Sequence, residues 1–88
     1  MKRYLIIYKG TVQGVGFRWF IYSIAKDLNC TGYVKNLFNG DVEVQVQGTD
    51  INEFIKRSLE KDRFIEIEDY SIKEIPICED DYRFDIKY

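Results

Sequence analysis

The chain has 88 residues, 13 Lys and Arg against 15 Asp and Glu, and no histidine, for a formal charge of −2. That length suits one domain, residues 1–88, with a modest core, and an apolar fraction of 45% with 16% aromatic residues excludes a disordered chain. The net charge argues against a protein that coats nucleic acid or an acidic membrane, so any bound anion must be attracted locally.

Met1-Lys2-Arg3 is basic, but the apolar run behind it, Tyr4-Leu5-Ile6-Ile7-Tyr8, is far shorter than a secretory h-region or a membrane span, so a cytoplasmic protein is expected. The same run predicts a central strand covered on at least one face. After a glycine-punctuated loop, Phe17, Phe20, Ile21, Ile24, Ala25 and Leu28 fall at i, i+3, i+4, i+7, i+8 and i+11, the stripe of an amphipathic helix. Asn29 is its expected end. Trp19 and Tyr22 lie off the stripe and are expected to pack at its margin rather than form a stacking platform.

Tyr33 to Phe38 reads as a strand, and Asn39-Gly40 as the positive-φ residues of a tight turn. Val42, Val44 and Val46 then alternate with Glu43, Gln45 and Gln47, giving one buried and one wet face. The hairpin register is left open. A two-residue turn sets Lys35 beside Val44, whereas a three-residue loop with a bulge groups Val34 and Asn36 with the valines.

Asp50 is the expected N-cap of a second helix, with Glu53 completing a box-like arrangement, an apolar stripe at Ile51, Phe54, Ile55 and Leu59, and an end near Lys61-Asp62. Ile65 and Ile67 begin another strand. Its apolar parity changes by Tyr70 and Ile72 and again by Ile75, which predicts a bulge or break. Pro76 and Glu79-Asp80-Asp81 make the last loop, and Tyr82, Phe84, Ile86 and Tyr88 alternate with charged residues as a terminal edge strand. Cys30 and Cys78 lack metal-ligand spacing and are expected as two reduced thiols, although spacing alone leaves a disulfide open.

The element order predicts an α+β, ferredoxin-like βαββαβ sandwich: an antiparallel sheet, two helices on one face, and a short extra C-terminal strand. No heptad or spare apolar helix face is evident, so a monomer is expected. That fold hosts many activities, and function must be sought in a site.

The strongest candidate is Gly10-Thr11-Val12-Gln13-Gly14-Val15-Gly16-Phe17-Arg18. Glycines there are often only turn punctuation. Read chemically, however, the backbone N–H groups of Gln13, Gly14, Val15, Gly16, Phe17 and Arg18 can face one anion at the positive end of the helix, and Arg18 adds a planar, charged fork that matches phosphate oxygens. A second segment, Gly32-Tyr33-Val34-Lys35-Asn36, follows the first helix, and a right-handed crossover can bring its end to the mouth of the loop. Asn39 already fills the turn position before Gly40. Asn36 is therefore without an obvious structural duty, and its amide can donate and accept near a bound phosphate. Lys35 is read as a solvated strand residue and Lys9 as thickening the local positive field.

These two segments, with Gly40, Val42 and Gly48 at the expected offsets, closely resemble the two signatures of the acylphosphatase family. The likeness covers nearly the whole chain. It implies hydrolysis of the carboxyl–phosphate bond of a small-molecule acyl phosphate, giving a carboxylate and inorganic phosphate, the latter also a competitive inhibitor. It further implies that Arg18 and the backbone of residues 13–18 bind the phosphoryl group, that Asn36 holds the attacking water, and that no cofactor, metal or phospho-enzyme takes part.

The composition fits that chemistry independently. Without histidine the site has no evident strong general base or acid, which would be crippling for a phosphate ester with an alkoxide leaving group. An acyl phosphate loses a carboxylate, which departs without protonation through a loose transition state, so positioning and charge stabilisation suffice. Two rivals stand beside this reading. A nucleic-acid-binding module on the same fold lacks its basic-Gly-aromatic strand motif here. A non-catalytic acyl phosphate binding domain of a larger machine is disfavoured by the lack of appended domains, and an acyl phosphate turnover assay separates both from the main reading.

Overall fold

The computed structural model describes residues 1–60 and 64–88. The elements are β1 (Lys2–Thr11), α1 (Phe17–Asp27), β2 (Thr31–Asn36), β3 (Val42–Gly48), α2 (Ile51–Ser58), β4 (Glu66–Ile75) and β5 (Phe84–Lys87). They form one five-stranded sheet in the order β4-β1-β3-β2-β5. This is the expected α+β, ferredoxin-like arrangement with its short C-terminal strand at an edge. Every pairing is antiparallel except β2 with β5, which run parallel.

Side chains alternate across a strand, so register decides which face is covered. Ile6, Tyr8, Val34, Val42, Val44 and Val46 point to the helical side and are buried with Phe17, Ile21, Ile24, Ala25 and Phe54. Tyr8, near the centre, donates to Ser58 Oγ at 2.7 Å, which satisfies the one polar group its ring carries into the core.

The β2–β3 hairpin settles the open register. Val34 lies opposite Val44 and Asn36 opposite Val42. Leu37 N–H bonds Asp41 O at 2.8 Å and Gly40 N–H bonds Leu37 O at 3.3 Å, closing a three-residue loop with Gly40 at φ 95°. Only Gly40 has positive φ there; Asn39 does not, contrary to expectation. Its amide instead holds Asp41, accepting from the Asp41 N–H at 3.0 Å, as Asn side chains do in turns.

Helix α1 ends as expected. Asn29 adopts φ 55°, and Cys30 N–H reaches back to Ala25 O while Asn29 N–H reaches Lys26 O, the two bonds of a Schellman ending. Helix α2 departs from expectation at its start. Asp50 occupies the N-cap without a side-chain hydrogen bond, and Glu53 turns away from a capping box to pair with Arg57 at 2.9 Å, one turn on. The expected end of this helix at Lys61-Asp62 lies outside the described residues.

Strand β4 carries the predicted bulge once. Lys9 faces Asp69 but Gly10 faces Ile67, so Glu68 is the extra residue. The chains approach so closely there that a Cβ on Gly10 would lie 2.2 Å from Glu66 O. The second parity change is no break: Ile75 stays in register opposite Arg3, on the sheet face away from the helices.

That outer face is crossed by the loop between β4 and β5, pinned by a buried arginine. Arg3 is only 6% exposed and donates to Asp81 Oδ2 at 2.8 Å, Gln45 Oε1 at 2.9 Å and Gln47 Oε1 at 3.2 Å. Gln47 completes the clamp by bonding both the N–H and the carbonyl of Cys78. Arg3→Met is expected to cost about 2 kcal/mol in chemical denaturation, because it takes the arginine donor from the Asp81 carboxylate and the Gln45 amide oxygen, while Gln47 Oε1 keeps the Cys78 N–H. A loss below roughly 0.5 kcal/mol, the range of ordinary surface changes, would show that the loop is held by other means. Cys30 is buried and Cys78 exposed, and both are free. Among the described residues no helix is long and apolar enough to cross a membrane.

Candidate active site

Residues 12–16 join β1 to α1 at the sheet end where β2 finishes. Val12 is buried and Val15 packs against the core, which fixes the loop from below. Gly14 and Gly16 adopt φ 74° and 80°, the left-handed region that glycine reaches without strain, and a Cβ on either would meet no atom within 4 Å. Gly16 is the N-cap of α1. It offers no side-chain acceptor to the first turn, which also lacks an acidic residue. The N-terminal N–H groups of α1 thus have neither a cap nor a carboxylate competing for them, as an anion site requires.

The glutamine of this loop does more than lend its backbone. Gln13 Nε2 donates to Leu37 O at 2.7 Å and to Asp41 O at 2.8 Å, the two residues that close the β2–β3 hairpin. One amide thereby clamps the loop to the strand end that carries Asn36. Asn36 has the parity of Val34 and points to the helical side. Its Oδ1 is buried and accepts no hydrogen bond among the described residues. A buried amide oxygen left this way costs about 1–3 kcal/mol and calls for an explanation.

Arg18 lies in the first turn of α1 and is held by β5. Its Nη1 donates to Lys87 O at 3.1 Å and its guanidinium carbon sits 4.7 Å from the centre of the Tyr88 ring. Lys87 in turn lies beside Lys35, the residue before Asn36, in the parallel β2–β5 pair. The loop and Arg18, contiguous in sequence, and Asn36 from the next strand thus lie toward one sheet end. The clamp of Gln13 and the β5 support of Arg18 were not anticipated: neither a glutamine side chain in a glycine loop nor a C-terminal aromatic carries a spacing signal.

The surrounding cations are less free than expected. Lys9 Nζ lies 3.7 Å from Asp41 and Lys35 Nζ 3.8 Å from Glu43, so each of these charges has a carboxylate beside it. Tyr33 donates to Glu43 Oε2 at 2.6 Å, and burial, reinforced by that carboxylate, pushes its phenol up to about 12. Burial raises the Cys30 thiol to about 11, with the Asp50 charge adding to it. Neither group ionises near neutral pH, so neither serves as base or nucleophile. Tyr22 packs against the core, and Trp19 packs edge-on against Tyr22 at the helix margin with 62% of its surface exposed.

An uncapped loop-to-helix turn and a supported guanidinium mark a small α+β protein with a candidate anion site at one end of its sheet. Comparison with known proteins makes that class specific. The acylphosphatase family model matches residues 4–86. An acylphosphatase of Clostridium beijerinckii is 41% identical, with all of both chains covered. The crystal structure of acylphosphatase from Bacillus subtilis matches with a TM-score of 0.93 at 36% identity, again over all of both chains. T. kodakarensis HypF matches with a TM-score of 0.86 at 41% identity, over all of this chain and 12% of that one. The chain belongs to the acylphosphatase family. It is a hydrolase acting on acyl phosphates, small molecules whose carboxyl–phosphate bond it cleaves.

Proposed function

We propose that residues 1–88 act as a cytoplasmic, monomeric, cofactor-independent acylphosphatase in which water attacks phosphorus directly. The backbone N–H groups of Gln13, Gly14, Val15, Gly16, Phe17 and Arg18 and the Arg18 guanidinium hold the phosphoryl oxygens, and Asn36 orients the water through its buried amide. The water oxygen bonds to phosphorus as the bridging P–O bond breaks, the carboxylate leaves with that bond's electron pair, and the water's proton passes to a phosphoryl oxygen. No protein base is needed, because a loose transition state demands little of the nucleophile. Inorganic phosphate, the product, occupies the same cradle and competes with substrate.

The observation that carries this reading is Asn36 Oδ1: a buried acceptor with no donor among the described residues, at the sheet end where the N–H groups of α1 are uncapped. We read that oxygen as the acceptor that holds the attacking water, because positioning is the help this reaction needs most. Hydrolysis of benzoyl phosphate in water labelled with heavy oxygen is expected to place the label in inorganic phosphate, at the same rate with or without a chelator. Label in benzoate would mean attack at the acyl carbon and would remove Arg18 and Asn36 from these roles.

A further inference from the structure

We propose that the groove between α1 and β5 is an acyl subsite that takes flat, apolar acyl groups, aromatic ones above all. The inference rests on phosphoryl binding at residues 13–18 and deepens it by naming the substrate class. Trp19, Tyr22, Lys26, Phe84, Ile86 and Tyr88 line a shallow groove of about 370 Å3. Trp19 is 62% and Tyr88 92% exposed, although large rings gain most from leaving water. The Trp19 ring is backed edge-on by Tyr22 at 5.6 Å between centroids, and Tyr22 lies 6.4 Å from the buried Phe84. Trp19 is therefore supported from the core while most of its surface faces solvent.

Tyr88 joins this groove to the phosphoryl site, because it lines the groove and also stacks on the Arg18 guanidinium. In an acyl phosphate the acyl carbon is one oxygen away from phosphorus. A ring carried on that carbon, leaving the Arg18 fork, comes within reach of Tyr88 and of Trp19, the next residue on the helix. Charge offers the occupant little at the rim, where Arg83 and Asp85 are paired at 3.1 Å. Lys26 contributes its aliphatic stem to the wall. The groove thus selects by shape and stacking.

The test compares kcat/KM for benzoyl phosphate and acetyl phosphate in the wild-type chain and in Trp19→Ala. The wild type is expected to favour benzoyl phosphate, and the ratio of the two constants is expected to fall about three- to ten-fold in the variant, the range set by one aromatic contact. An unchanged ratio overturns the subsite and leaves hydrolysis standing. Failure of the wild type to hydrolyse either acyl phosphate overturns the phosphoryl reading instead.

A second measurement needs no variant. Trp19 is the chain's single tryptophan, so its fluorescence reports on the groove directly. Phenacylphosphonate, in which CH2 replaces the bridging oxygen, is expected to quench it more strongly than acetonylphosphonate when each is saturating. Equal responses to the two overturn the proposal.

Discussion

Arg18→Ala is expected to lower kcat/KM for benzoyl phosphate by about 10³- to 10⁵-fold, the range found where one arginine stabilises a transferring phosphoryl group. Competitive inhibition by inorganic phosphate should weaken in parallel, because the guanidinium touches the oxygens that substrate and product share. Arg18→Lys restores a charge but not the planar fork, nor the stacking of the Tyr88 ring on the guanidinium, and should recover little of the loss. Stability is the control. Arg18 is half-exposed and its contacts are the Lys87 carbonyl and the Tyr88 ring, so both variants should unfold within about 0.5 kcal/mol of the wild type. Full turnover of benzoyl phosphate by Arg18→Ala would sink the assignment of the phosphoryl site, whatever the family.

Much of the fold could be read from periodicity because local and tertiary demands agree. The stripe from Phe17 to Leu28 specifies α1 and also supplies its buried face, and the alternating valines of β3 leave one side for the core. The disagreements fall where a single residue had competing duties. Glu53 reads as a capping partner, but its carboxylate pairs instead with Arg57 one turn on, which also reaches Asp27. Asn39 reads as a positive-φ residue, yet a three-residue loop needs only Gly40 there and frees Asn39 to bond Asp41. Ile75 reads as the mark of a second break, because an apolar residue on the outer face looks out of phase until the loop crossing that face is known.

At the candidate site, the residue types were legible and their supports were not. Arg18 and Asn36 sit in segments whose glycines and turn chemistry announce themselves. Gln13 and Tyr88 act through the carbonyls of Leu37 and Asp41 and through the face of a guanidinium. Such partners are set by chain crossing, and no spacing within one segment encodes them. The same holds for Arg3, whose burial follows from a loop that begins seventy-odd residues later in the chain.

Asn36→Ala is the variant that separates water positioning from phosphate binding. Its kcat is expected to fall about 10²- to 10³-fold, the cost of removing one preorganised polar group from a transition state, while the inhibition constant of phosphate changes less than about three-fold. Stability should move the other way. The wild-type Oδ1 is buried with no donor among the described residues, so removing the amide relieves a desolvation cost, and the variant should be as stable as the wild type or more so. A merely structural asparagine predicts the opposite, because its loss would break a satisfied bond and weaken the hairpin. If denaturation showed a loss of about 2 kcal/mol alongside the fall in kcat, Asn36 would be a support for the strand end. If phosphate inhibition weakened as much as kcat fell, it would be a binding residue. Only a slow enzyme of undiminished stability and intact phosphate affinity fits an amide kept unpaired in order to hold a water.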